Sequence, residues 1–177
     1  MSQSATFYRV SQNTFKQLEI TDNKQPFDVS SAKEYTTLQG SFMALEYILS
    51  KAQDASAIKL INELFNPRQS LGDPDLESLT LEEQMEFYEN GGAIHYLNYA
   101  NVSKLSGLFD KFSKADIHSK YDSKELNENR IYPEVWHNDN SPDQAYNERH
   151  ILDDFEQLKK IIKRASDDCD YILVFVG

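Results

Sequence analysis

The chain has 177 residues, with 18 basic and 29 acidic side chains and a formal net charge of −11. Its length fits one domain, spanning residues 1–177. Leu, Ile, Val and Phe make up a quarter of it, above the level at which a chain stays disordered. The composition excludes several classes. No apolar run approaches the roughly 18 residues of a membrane-spanning helix. The opening MSQSATFYRVSQ lacks the basic-then-apolar build of a secretory signal. Cys169 is the only cysteine, so no internal disulfide can form, and a cytoplasmic protein is expected. The negative charge opposes binding to nucleic acid and to anionic membranes, and it permits a basic protein partner or serves only solubility, the commoner role.

In chain order, Thr6–Val10 reads as a strand from its β-branched and aromatic content, and Ser11 caps a short helix carrying Phe15 and Leu18. Asp22, Asn23, Pro26 and Asp28 mark residues 21–34 as irregular. A helix over about 40–53 places Phe42, Leu45, Leu49 and Ala52 at helical spacing, with Gly40 at its start. A second, over about 55–65, aligns Ile58, Ile61, Leu64 and Phe65 and stops at Asn66-Pro67. Residues 66–80 read as a loop. Thr80 and Glu83 have the spacing of a capping box for a short helix, and Asn90-Gly91-Gly92 reads as a turn before a strand at Ala93–Leu97.

Asn98 caps a helix over about 99–113 with Val102, Leu105, Phe109 and Phe112 on one face. Residues 114–130 are polar enough for no more than short helices. The spacing predicts a last helix from Pro142, with Ser141 as N-cap and Gln144 closing the capping box, ending at Asp167-Asp168. Tyr171–Val176 is continuously apolar and therefore belongs inside a sheet covered on both faces. Strands at the two ends of the chain can pair. The expectation is an α+β fold: one compact domain, with a small mixed or antiparallel sheet packed by four or five helices.

The charge is uneven. Residues 1–66 carry a net −1 and residues 67–177 a net −10. Seven carboxylates and no Lys or Arg lie between Asp73 and Glu89, so residues 67–90 read as an acidic insert: a solvated face, or more sharply a docking patch.

Catalytic signatures are missing from the sequence: it has no Gly-rich phosphate loop, no GxSxG, no HExxH and no CxxC. His118, His137 and Asp139 could meet, but no histidine pair has helical ligand spacing, so neither a metal nor a cofactor is expected. Acidic neighbours at 167, 168 and 170 oppose the thiolate that a nucleophilic Cys169 would need. No acid/base pair stands out among so many carboxylates. The most unusual segment is Arg130–His137, which gathers the only Trp with a Tyr, an Arg and a His around Pro133. It could line a pocket, with stacking from Tyr132 and Trp136 and polar contacts from Arg130, His137 and His95. The favoured alternative is that its aromatics pin an irregular segment to the core.

The order of FYRVS, LQGSFMALEYILS, GGAIHYL and IYPEVW, followed by an amphipathic helix running into an apolar strand, resembles the YfbM-like family of bacterial proteins, a domain of unknown function. The resemblance spans nearly the whole chain and rests most on Ile131-Tyr132-Pro133 with Trp136, and on Gly92–Leu97. The family pattern has Trp where Phe42 stands and His where Glu46 stands. The resemblance implies a compact bacterial α+β domain and carries over no functional residue. Two functions follow as expectations. The first is an acidic interaction module without catalysis, of no specified oligomeric state. The second is a small-molecule enzyme or binder with its pocket near Tyr132, Trp136 and His137.

Overall fold

A computed structural model describes residues 3–21, 27–89 and 92–177. Its elements run β1 (Ser4–Val10), α1 (Gln12–Thr21), β2 (Glu34–Gln39), α2 (Phe42–Ser50), α3 (Ala55–Phe65), β3 (Gln69–Leu71), α4 (Leu81–Glu89), β4 (Ile94–Leu97), α5 (Tyr99–Phe109), α6 (Lys114–Lys120), α7 (Ser123–Glu128), α8 (Glu148–Asp167) and β5 (Tyr171–Val176). The five strands form one sheet in the order β2-β1-β5-β4-β3, and every pairing is antiparallel. The expected α+β class holds.

The chain's two ends meet at the centre of this sheet, with Ala5 opposite Val176 and Val10 opposite Tyr171. β5 is apolar on both faces because both are covered. Ile172 and Val174 point into the main core with Phe7, Leu38 and the buried faces of α2, α3, α5 and α8. Leu173 points the other way, into a smaller cluster with Val10, Ile94 and Phe15 of α1. Eight helices among the described residues surround the sheet, more than the four or five expected: α6 and α7 also reach the main core, through Ile117 and Leu126, whereas α4 buries no residue. Phe15 stacks on Tyr171 with ring centroids 3.9 Å apart.

Local signals set most helix boundaries. The Ser11 hydroxyl accepts from Thr14 N at 3.1 Å, the Asp54 carboxylate accepts from Ser56 and Ala57 N, and the Asn98 side chain accepts from Asn101 N. Thr80 and Glu83 form the expected reciprocal box, with Thr80 N donating to Glu83 Oε2 at 2.8 Å. Gly40 sits just before α2 at φ +71°, and a Cβ there would lie 3.1 Å from the Tyr146 ring. Both the angle and the space therefore call for glycine.

Several expectations change. The helix expected over 40–53 is shorter, Phe42–Ser50, and Ala52 turns at φ 58°. Glu34–Gln39 is a full strand, and Gln69–Leu71 breaks the expected 66–80 loop. Residues 22–26, with Asp22, Asn23 and Pro26, lie outside the described residues, as do Asn90 and Gly91 of the expected turn.

The last helix starts at Glu148, not Pro142. Its N-cap position is Asn147, whose side-chain amide donates to the carbonyls of Asp139 and Gln144, each at 2.9 Å. Tyr146 lies at φ 52°, which no right-handed helix passes through. Ser141 instead closes a tight turn, accepting from Gln144 N at 3.1 Å. At its other end α8 stops at Asp167. Buried Arg9 holds the connection to β5 by donating to Asp170 at 2.7 Å, to Glu34 at 2.8 Å and to Asp168.

Candidate functional site

The Arg130–His137 segment follows α7 as an irregular turn, with Arg130 and Glu134 at φ 54° and 64° and a cis Tyr132–Pro133 bond. Trp136 is only 3% exposed and belongs to the main core. Its indole N–H donates to Ile131 O at 3.0 Å, and its ring meets Tyr146 edge-on at 5.9 Å. The Asn127 amide clamps the Trp136 backbone from both sides, accepting from its N at 2.8 Å and donating to its O at 2.9 Å. The tryptophan thus fastens the segment to the core.

Around it, the Tyr132 hydroxyl accepts from Gln3 N at 3.3 Å, and Arg130 is exposed. The His137 side chain is also exposed, while its backbone N donates to Tyr146 O at 3.0 Å and its O accepts from the Tyr121 hydroxyl at 2.7 Å. His95 lies elsewhere, on β4, opposite Val174 of β5.

His118 comes close to this region by pairing with Glu148, a buried carboxylate that also accepts from Asn140 at 3.0 Å. Burial, with the Glu148 charge nearby, pushes the Tyr121 hydroxyl up to about 12. Among the described residues no group of three or more His, Cys, Asp and Glu side chains is placed to hold a metal ion. Cys169 is exposed, at φ 55° in the turn after α8.

Two other features stand out. The first is α4. Leu81, Met85 and Tyr88 are 73%, 56% and 62% exposed. Their i, i+4, i+7 spacing puts them along one helix face. Glu82, Glu86 and Glu89 repeat that spacing one residue later, on the adjoining face. Gln84 ties the helix down by donating to Leu76 O and Leu79 O at 2.9 and 3.1 Å. None of the α4 residues is buried. The sequence carried the acidic half of this signal, but the exposure of the apolar half is a tertiary fact.

The second is a cavity of about 360 Å³ between α2, the end of α3 and the paired strands β4 and β5. Its apolar wall includes Phe42, Met43, Phe65 and Val176, and its polar groups include Glu46 and His95. Sequence reasoning proposed His95 but missed Glu46, because one carboxylate on a helix carries no signal until something covers it. A broader open groove of about 650 Å³ between α3 and α5 is lined by Lys59, Glu63, Arg68 and Lys104 among others. No helix among the described residues is long and apolar enough to cross a membrane.

Fold and surface together define an α+β protein built on one five-stranded antiparallel sheet, with an acidic amphipathic helix on its outside. The chain belongs to the family described as Domain of unknown function (DUF1877), which matches residues 1–175. Along its whole length it is similar to the crystal structure of YfbM from Escherichia coli, a protein of unknown function, with a TM-score of 0.59, 17% identity and 100% of each chain covered. At that identity the likeness establishes the fold. No curated protein matches the chain.

Proposed function

We propose that this protein is a non-catalytic interaction module that docks a basic amphipathic segment of a partner protein on α4. The observation that carries this is the exposed Leu81–Met85–Tyr88 face lying directly beside Glu82, Glu86 and Glu89. Three large apolar side chains aligned on one face mark an interaction surface more strongly than the same residues scattered singly. With seven carboxylates and no Lys or Arg across residues 73–89, the occupant must bring positive charge around its own apolar stripe. A basic amphipathic helix has that pattern.

The same charge argues against nucleic acid and anionic membrane as partners. The reading takes residues 67–90 as an acidic insert in a single domain. It takes the protein to be bacterial and cytoplasmic, supported by the E. coli protein of the same fold and by the lone Cys169.

A fluorescent synthetic helix with Leu on one face and Lys on the other is the probe. Its anisotropy should report binding on the order of micromolar at low salt, weakening as salt screens the carboxylates. The Leu81→Ser/Met85→Ser/Tyr88→Ser variant should lose on the order of 3 kcal/mol, about a hundredfold. Equal binding by that variant, binding indifferent to salt, or no binding by the wild type would each overturn the proposal.

A further inference from the structure

The cavity between α2, α3 and the paired strands β4 and β5 has a composition that selects a ligand. Much of its lining is apolar, with the Phe42 and Phe65 rings stacked at 6.2 Å and Val174 and Val176 of β5 also contributing. Glu46 stands on α2 one turn beyond Phe42, half-buried among these groups. The Asn62 amide satisfies both its ends when its nitrogen is the atom turned to Glu46 Oε1 and Ile58 O, and in that orientation it donates to them at 3.0 and 3.3 Å. That neutral bond leaves the carboxylate's charge uncompensated, and none of the lining residues is Lys or Arg. Burial alone pushes the Glu46 carboxyl up.

His95 adds a second acceptor. Its Nδ1 lies 3.1 Å from Pro67 O. A carbonyl only accepts, so Nδ1 donates there, which leaves Nε2 as the nitrogen that can accept. The cavity therefore offers a carboxylate and an imidazole acceptor beside an aromatic and aliphatic wall, and its volume falls in the range of small-ligand sites.

From this chemistry we infer that the cavity binds a primary ammonium carried on a short apolar body. The ammonium donates to Glu46 and to the His95 ring, and the apolar body lies against Phe42, Phe65 and Met43. A carboxylic acid ligand would set two negative charges together, and a neutral alcohol would leave the Glu46 charge unpaired. The site is separate from α4 and its inference does not rest on the docking proposal.

The test is isothermal titration calorimetry with 2-phenylethylamine, its isosteric alcohol 2-phenylethanol, and 3-phenylpropanoate. The ammonium should bind the wild type, with the alcohol at least about tenfold weaker and the carboxylate silent. Glu46→Gln keeps the shape and the Asn62 bond, and it should lose the preference for ammonium over alcohol. Val176→Phe changes an exposed position at the end of β5 and should reduce binding of the amine and the alcohol alike by filling space, while circular dichroism confirms an unchanged fold. Equal affinity for ammonium and alcohol, undiminished ammonium binding by Glu46→Gln, or no binding by the wild type would overturn the inference.

Discussion

Asp154 offers a prediction in which magnitude and sign both follow from the structure. It lies on α8, buried against α2, and accepts a hydrogen bond from the buried Ser41 hydroxyl. Burial raises its carboxyl from 3.8 to about 6, the Ser41 bond pulls it partly back, and the neighbouring Asp153 charge adds to the rise. Between these values the folded chain holds a proton that the unfolded chain has released. Stability therefore falls as pH rises through that window. At about 1.4 kcal/mol per pH unit, the ionised form costs the fold about 3 kcal/mol above the window. Asp154→Asn cannot ionise, and its amide oxygen can still accept from Ser41. The variant should match the wild type near about pH 4 and exceed it by up to about 3 kcal/mol near about pH 8. Urea unfolding at a series of pH values, followed by the fluorescence of the single buried Trp136, reads the difference. A difference that stays flat with pH, or a variant less stable than wild type at about pH 8, would refute the reasoning.

Trp136→Ala removes a core side chain and leaves Ile131 O without its indole partner. Thermal unfolding should show a loss of about 3–5 kcal/mol, and a near-neutral result would mean that the segment is not anchored through it. Arg9→Met leaves the buried Asp170 with Lys33 as its remaining cation at 2.8 Å. Urea unfolding should register a loss of about 3 kcal/mol. The Leu81→Ser/Met85→Ser/Tyr88→Ser variant should stay within about 0.5 kcal/mol of wild type per position, because these side chains are already in solvent. A large destabilisation would show that they pack.

How much could be read from the sequence depended on where each signal sits. The 3, 4 spacing of Leu, Ile and Phe located α2, α3, α5 and most of α8, and the all-apolar Tyr171–Val176 announced a central strand. β2 stayed hidden because Thr36 and Leu38 are its buried residues and Gln39 its end, a weak alternation that gains meaning only from pairing with β1. The false start of α8 has a definite cause. Ser141-Pro142 satisfies every local rule for a helix N-terminus, yet Tyr146 packs on Trp136 and the Asn147 side chain closes the preceding loop, so the helix begins later.

The candidate sites were legible in part. The acidity of 73–89 was plain in the sequence, whereas the exposure of Leu81, Met85 and Tyr88 depends on what the rest of the chain leaves uncovered. His95 was named with Tyr132, Trp136 and His137, whereas in the fold it lines a cavity with Glu46 and Phe65, residues remote in sequence that no local pattern connects.

The docking face on α4 is tested most directly by replacing Met85 with the photo-crosslinker p-benzoylphenylalanine and irradiating lysate of the source organism. Val29, 56% exposed outside α4, carries the same group as control. A basic protein should be cross-linked from position 85 but not from position 29, and the product should be absent at high salt and absent when Leu81 and Tyr88 are changed to Ser. Cross-linking to a second copy of this chain, to an acidic or salt-indifferent partner, or to nothing beyond the Val29 control would contradict the docking proposal.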